Sequence, residues 1–424
     1  MLFRKILYMA ETARNQWLSA AKIEKLQFLK LQKIINHAYK NVIFYRNKLD
    51  SSGLKPQDIR TPADILKIPF TTKKEVLENF PKGLLARGYR LSDCHIESTS
   101  GSSGLKLKIA IDYRAKDFCD CIYGRALFAV GYKPWQPMAY FWPSTNHRRE
   151  FHEYLGLMRK DWISSHIRPE EQLEILLKLK PRIIYGFPTI MMVLAKIIES
   201  DKAKYDAIKP ELIISHAELL TTEARQRLER VFGCPVYNEY GATELGFRMA
   251  WECHKREGMH IDADSVLMEF IKNGRPAKPG ETGEMIITGL VNHAMPLIRY
   301  QIGDIGIPTD RKCSCGRGLP LMEVIEGRKD DFMVLPSGKL ISPRGVVPIV
   351  EKFKEILEFK IIQKDKARFL IELVFCEEPR PEILPVLKND LLDFFNEYVD
   401  IAFEIQKEIK RSERGKLKAV VSEL

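Results

Sequence analysis

The segment TSGSSGLKLK, from Thr99 to Lys108, combines closely spaced glycines with hydroxyls and lysines. Glycine lets backbone amides approach an anion closely, because no Cβ stands in the way. Thr99, Ser100, Ser102 and Ser103 add hydroxyl donors around Gly101 and Gly104, and Lys106 and Lys108 add positive charge. The loop suits the phosphates of a nucleotide, although the same residues also build plain surface turns. It lacks the spacing of a Walker A loop. Further along, NEYGATELG (238–246) sets an aromatic, a hydroxyl and a carboxylate close together. PLIRYQIGDIG (296–306) places Asp304 at a glycine-flanked turn after a strand, and EGRKDD gathers Arg328, Asp330 and Asp331. RGKLK (414–418) presents lysines near the C-terminus. A second chemistry is suggested by thiols and imidazoles: CSC supplies Cys313 and Cys315, and ECHKREGMH supplies Cys253, His254 and His260. Cys/His pairs from two turns suit a structural Zn²⁺ with Cys3His ligation, with either histidine as the fourth ligand. Cys94, Cys119, Cys121, Cys234 and Cys376 read as core or surface thiols.

The elements that must position these residues follow from periodicity. Residues 12–48 read as one or two amphipathic helices ending near Tyr45, with lysines alternating against Leu26, Leu29 and Ile34. TPADILKIP reads as a short helix capped by Thr61, and another helix starts behind Thr71. RIIYGFP (182–188) and ELIISHAE (211–218) read as buried parallel strands separated by a helix. From about 260 the pattern changes to a small mixed β-unit, with NGRPAKPGETG (273–283) as a hairpin-type loop. After Gly327 comes a compact β-β-α-β tail. The expected fold class is α/β: a large N-terminal domain over 1–327 with parallel sheets plus a small β-unit. A small mobile α+β domain follows over 328–424, with a hinge near Asp330.

At 424 residues the chain is too long for one core, and its 45% hydrophobic and 29% charged content is that of an ordinary globular protein. No apolar run is long enough to span a bilayer, and residues 1–16 lack the core of a signal peptide. Scattered cysteines in a chain this size fit reduced thiols in a cytoplasm. The net charge of +11 is concentrated at the start, where residues 1–60 hold 12 Lys/Arg against 4 Asp/Glu. A solvated helix face explains most of that excess. A nucleic-acid or membrane-surface binder would leave the ordered motifs unexplained, and the intact Glu244, Asp304 and Lys416 argue against a silent scaffold.

TSGSSG, YGATELG, RYQIGD and EGRKDD, in that order, resemble the adenylate-forming superfamily of acyl-CoA synthetases. Within it, the stretch NVIFYRNKLDSSGLKPQDIRTPADILKIPFTTKKEV is most similar to the phenylacetate–CoA ligase branch, with its CapK-like and coenzyme F390 synthetase-like members. The resemblance covers essentially the whole chain. It implies that ATP activates a carboxylate as an acyl-adenylate, which then passes to a thiol, usually coenzyme A. On that resemblance, residues 99–104 hold the β- and γ-phosphates, Thr243 contacts the α-phosphate and Glu244 holds Mg²⁺. Tyr240, beside Gly241 and Ala242, walls the adenine or acyl pocket. Asp304 accepts the ribose hydroxyls with Arg328 nearby, and Asp330 is the hinge. Lys416 bridges carboxylate and α-phosphate. The branch also favours His260 over His254 as the zinc ligand, because His260 begins a strand.

The chain departs from that pattern in places. The proline usual after the glycine-rich loop is replaced, and the one usual upstream of the C-terminal lysine is absent, which keeps Lys418 open as a substitute for Lys416. His147, Arg148 and Arg149 hint at a polar or anionic acyl substrate, or simply at an exposed loop. Transfer to an amine, sugar or carrier protein, or of AMP itself to a hydroxyl, is the alternative ending. The expected partners are a small-molecule carboxylate and a thiol or amine acceptor, with a homodimer as the expected assembly if one forms, and no nucleic acid.

Overall fold

The structure is a computed structural model, which describes residues 2–99, 106–145, 149–413 and 415–424. The chain divides into two compact units, one of 1–131 with 239–325 and one of 132–238 with 326–424.

In the first unit the helices Leu2–Asn15, Ala20–Asn41 and Ile43–Ser51 follow one another. The second of these buries Ile23, Leu31, Ile34, Ile35 and Ala38 at helical spacing, so Lys22, Lys25, Lys33 and Lys40 face outward, while Lys30 reaches in to the Asp264 carbonyl at 2.9 Å. Helix formation thus begins earlier and breaks more often than the sequence suggests. Thr61 precedes a 3-10 turn, Pro62–Lys67, in which the Asp64 carboxylate accepts the Thr61 N–H at 2.7 Å. The next helix, Lys73–Asn79, is capped by Thr72 rather than by Thr71, in a reciprocal capping box with Glu75. Thr71 is instead buried, exchanging backbone hydrogen bonds with Arg299 and Gln301.

A hairpin of Cys94–Ser98 and Lys108–Asp112 leads into the helix Tyr113–Ala129, whose first amides donate to the Asp112 carboxylate. The remaining strands form a largely antiparallel sheet running from Phe247–Glu252 through Met259–Ile261, Leu321–Arg328, Tyr300–Pro308 and Gly283–Gly289 to Val266–Lys272. Residues 273–283 connect its edge strands, as the turn residues there require.

The second unit carries the parallel layer. Lys160–Ser164, Met138–Trp142, Ile183–Gly186 and Leu212–Ser215 lie side by side, followed by the first residues of Val236–Ala242. Helices Pro169–Leu179, Pro188–Ser200 and Thr222–Phe232 pack on the face formed by Ala139, Phe141, Ile163, Ile184 and Ile213. Side chains alternate across a strand, so Tyr140, Trp142, Trp162 and Tyr185 line the opposite face. Residues 326–424 keep a core of their own. There Ile356–Asp365 pairs antiparallel with Arg368–Phe375, and Asp400–Ile405 and Val420–Ser422 add parallel edges. Helices Pro343–Glu351 and Ile383–Phe395 contribute buried apolar residues to that core. The result is the mixed α/β architecture expected from the sequence. Among the described residues no helix is long and apolar enough to cross a membrane.

Candidate active site and metal centre

In the first unit, Val236–Ala242 ends in a 3-10 turn, Thr243–Leu245, closed by Gly246 at φ +69°. A Cβ at Gly246 would stand 2.0 Å from Ile111 Cδ1, so only glycine lets the turn sit this close. Leu245 is buried and anchors the turn, leaving Thr243 and Glu244 half-buried. Strand Cys94–Ser98 lies against the same turn. Just beyond it, Thr99 N–H donates to the Leu107 carbonyl at 2.9 Å, and Leu107 N–H donates to Thr99 Oγ1 at 3.0 Å. The stem of the glycine-rich loop therefore opens beside Thr243 and Glu244. Ser100, Gly101, Ser102, Ser103 and Gly104 themselves lie outside the described residues, as do His147 and Arg148. Arg149 is exposed, with its guanidinium 3.4 Å from Asp161.

Tyr240 Oη donates to Asp304 Oδ2 at 2.6 Å, a link the sequence gives no hint of. Asp304 does not follow a strand in a turn. It lies inside Tyr300–Pro308, at a bulge where Gly303 takes φ +81° and the register slips opposite Glu284 and Ile286. The flanking glycines that read as a turn instead let the strand kink. Gly241 is exposed and Ala242 half-buried between these groups.

The candidate metal ligands converge in the same unit. One ligand atom from each of Cys253, His260, Cys313 and Cys315 lies within 4.8 Å of all the others. Cys253 Sγ is 3.5 Å from Cys313 Sγ, and Cys315 Sγ is 3.4 Å from His260 Nε2. A tetrahedron with metal–sulfur distances of about 2.3 Å has edges of about 3.8 Å, so the spacing fits zinc with modest adjustment. The strand Met259–Ile261 carries His260 into the cluster, whereas His254 lies outside it. Burial, with the neighbouring Arg317 cation, pushes His260 down to about 4 and keeps its imidazole neutral, the form that binds metal. Burial also pushes the Cys313 thiol up to about 12 and raises Cys253. Cys315 is half-buried, and although that burial raises its thiol, hydrogen bonds from Arg317 bring it below the usual range. A divalent cation would hold all three as thiolates. Leu18, Ile23, Trp251, Ala263 and Leu321 wrap the cluster, so it joins the N-terminal helices to the sheet.

In the second unit the carboxyl ends of the parallel strands converge on the C-terminal loop. After Leu212–Ser215 the chain turns through His216 and Ala217, whose φ of +66° is strained for a residue with a Cβ. His216 lies against Tyr185 and Phe187, at ring-centroid distances of 4.5 and 4.9 Å. Tyr140 stacks on Tyr185 at 4.5 Å and leans on Trp162 at 4.6 Å. Gly415, at φ +70°, is seated so closely that a Cβ there would be 2.0 Å from Ser165 Oγ. Lys416 thus rides on a loop packed at the strand ends. The Lys418 ammonium, by contrast, is 3.0 Å from the Asp331 carboxylate. Arg328 ends its strand and Asp330 lies in the 3-10 turn Lys329–Asp331, both exposed. Sequence reasoning passed over Glu218, whose carboxylate meets this loop. Its only signal is an acid placed directly after a buried strand.

Open α/β sheets bind ligands outside the carboxyl ends of their strands, and the Lys416 loop is packed at those ends. Residues 156–295 match the AMP-binding enzyme family, and residues 333–423 match the CapK C-terminal domain. The chain thus carries regions similar to the AMP-binding enzymes and to the CapK C-terminal domain, and its curated relatives are phenylacetate–CoA ligases and CapK. A phenylacetate-coenzyme A ligase of Thermus thermophilus is 27% identical over 380 residues, covering 86% of this chain and 84% of the relative. Protein CapK of Staphylococcus aureus is 23% identical over 416 residues, covering 94% and 89%. The fold is shared with 2-hydroxyisobutyryl-CoA ligase in its postadenylation state with 2-HIB-AMP, at a TM-score of 0.82 and 18% identity over 97% of this chain and 91% of that one.

Proposed function

We propose that the chain is an ATP-dependent ligase that activates a carboxylic acid and passes the acyl group to a thiol, with coenzyme A as the acceptor. The observation that carries this reading is the seating of the Lys416 loop at the carboxyl ends of the parallel strands. In the first step a carboxylate oxygen attacks the α-phosphorus of ATP, and pyrophosphate leaves. In the second a thiolate attacks the acyl carbonyl, and AMP leaves. Such transfers need positioning and charge stabilisation rather than a protein nucleophile.

Each residue has a matching task. The backbone of the 99–104 loop would take the β- and γ-phosphates, and Thr243 would donate to the α-phosphate. Glu244 offers the hard carboxylate oxygen that Mg²⁺ prefers, and the ion would neutralise phosphate charge. Asp304, braced by Tyr240, would accept the ribose hydroxyls, with Arg328 assisting. Lys416 would bridge the substrate carboxylate and the α-phosphate. The packing of Gly415 against Ser165, which seats the neighbouring Lys416 at the strand ends, supports Lys416 for this role. The domain division at 327/328, with its hinge at Asp330, belongs to the same reading. The Cys253, His260, Cys313 and Cys315 cluster would hold a structural zinc, because four protein ligands leave no open position for chemistry.

The face of Tyr140, Trp142, Trp162 and Tyr185 supports an acid with an aromatic or apolar body, and the pairing of Arg149 with Asp161 weakens the case for an anionic one. The match to the CapK C-terminal domain favours one second reading, in which the adenylate passes to an amine or sugar hydroxyl in polysaccharide synthesis. Pyrophosphate release from Mg-ATP, measured across aryl, alkyl and sugar acids with and without coenzyme A, separates the two. Release that depends on one acid and rises with coenzyme A supports the ligase. Acid-dependent release indifferent to coenzyme A supports the second reading.

A further inference from the structure

We propose that Glu218 is a positioning residue for the adenylation step, holding the Lys416 loop in its working place. The proposal rests on the role given above to Lys416.

The geometry is specific. Glu218 Oε2 accepts from the Thr189 backbone N–H at 3.1 Å and from the Thr189 hydroxyl at 2.7 Å. Its other oxygen, Oε1, accepts from the backbone N–H of Leu417 at 2.9 Å. Leu417 directly follows Lys416, so one carboxylate ties the lysine's backbone to the first turn of helix Pro188–Ser200. That helix end favours a negative charge. Arg411 closes the loop from the other side. It donates to Thr189 Oγ1 at 2.9 Å and to the Gly415 carbonyl at 3.3 Å, and it pairs with Glu358. Inside the loop, Ser412 N–H donates to the Lys416 carbonyl at 2.9 Å, and Lys416 N–H donates to Ser412 Oγ at 3.1 Å.

Leu417 is buried in a small apolar cluster with Val374 and Ile409, and polar bonds hold the residues around it. The loop's place therefore depends on polar groups that can be made and broken, and Glu218 is the one that grips the residue beside Lys416. Burial pushes the Glu218 carboxyl above its usual range, and the Arg411 guanidinium counters it. A carboxylate kept partly buried by its partners is costly to leave unpaired. Glu218 therefore favours the seated loop over any arrangement that withdraws Leu417.

The test compares Glu218→Gln, Glu218→Ala and Gly415→Ala with Lys416→Ala. Adenylation is measured with the acid that gives the largest pyrophosphate release, and thioester formation is measured from supplied acyl-adenylate and coenzyme A. Glu218→Ala should slow adenylation roughly 10²-fold with KM for ATP little changed, while thioester formation stays within about twofold. Glu218→Gln keeps one acceptor and should fall between wild type and alanine. Gly415→Ala should mimic Glu218→Ala, because its new methyl group pushes the loop off Ser165. A readout independent of activity is tryptic cleavage within residues 411–418, well below the melting temperature. Both Glu218 variants should be cut faster there, with the rest of the chain cut as in wild type. Equal loss of both half-reactions, or unchanged cleavage of the loop, overturns the proposal. If Lys416→Ala fails to separate the half-reactions, the role of Lys416 falls, and the cleavage rates alone still decide whether Glu218 holds the loop.

Discussion

The Cys253–His260–Cys313–Cys315 cluster and the Lys416 loop differ in what holds them. The cluster's side chains converge in an apolar nest within the first unit, and its four ligand atoms lie within 4.8 Å of one another. The 411–418 loop is held in the second unit by Glu218, Arg411 and a glycine pressed against Ser165. One arrangement suits a site that is made once, on folding. The other suits a residue that must be placed for one chemical step and released for the next. Static sites are built from side chains that satisfy each other, and movable ones from side chains that satisfy the backbone of their neighbours.

This comparison can be broken at both ends. The largest effect is expected for Lys416→Ala, which removes the cation we propose for the reacting phosphate. Acid-dependent pyrophosphate release should fall by about 10²–10³, with thioester formation from supplied acyl-adenylate retained. Next comes the metal. Cys313→Ala, or chelation of wild-type protein, should lower the melting temperature by about 10 °C and abolish stoichiometric zinc, while acid-dependent activity at low temperature persists. Zinc-free protein with unchanged melting would remove the metal from the account. Asp304→Ala should raise KM for ATP about tenfold with a smaller change in kcat, as expected for a lost ribose contact. The smallest effect is expected for Tyr240→Phe, which removes one hydrogen bond to Asp304 and should raise that KM about two- to fivefold. A Tyr240→Phe effect larger than that of Asp304→Ala would give the tyrosine a role of its own.

Much of the fold is legible in the sequence because buried parallel strands must be apolar on both faces. Ile183–Gly186 and Leu212–Ser215 stand out as short apolar runs for that reason. The small tail is legible because its turns and alternation are regular. Other features resist reading because tertiary partners decide them. Thr71 and Thr72 are the same residue type, yet only Thr72 has Glu75 at capping distance, and Thr71 is claimed by the strand after Arg299. Asp304 reads as a turn residue because Gly303 and Gly306 flank it, and only the opposing strand reveals a bulge. At the metal centre, residue type alone left His254 and His260 as alternatives, and the strand Met259–Ile261 brings His260 to the thiols. Glu218 was invisible because a single acid after a strand carries no spacing signal, and its partners lie at Thr189 and Leu417.

Exchange of labelled pyrophosphate into ATP, measured with an activating acid and no thiol present, tests adenylation by this chain most directly. The chain should catalyse exchange that requires both the acid and magnesium, and Lys416→Ala should lose it. Absence of acid-dependent exchange across aryl, alkyl and sugar acids, or undiminished exchange in Lys416→Ala, would contradict the central claim.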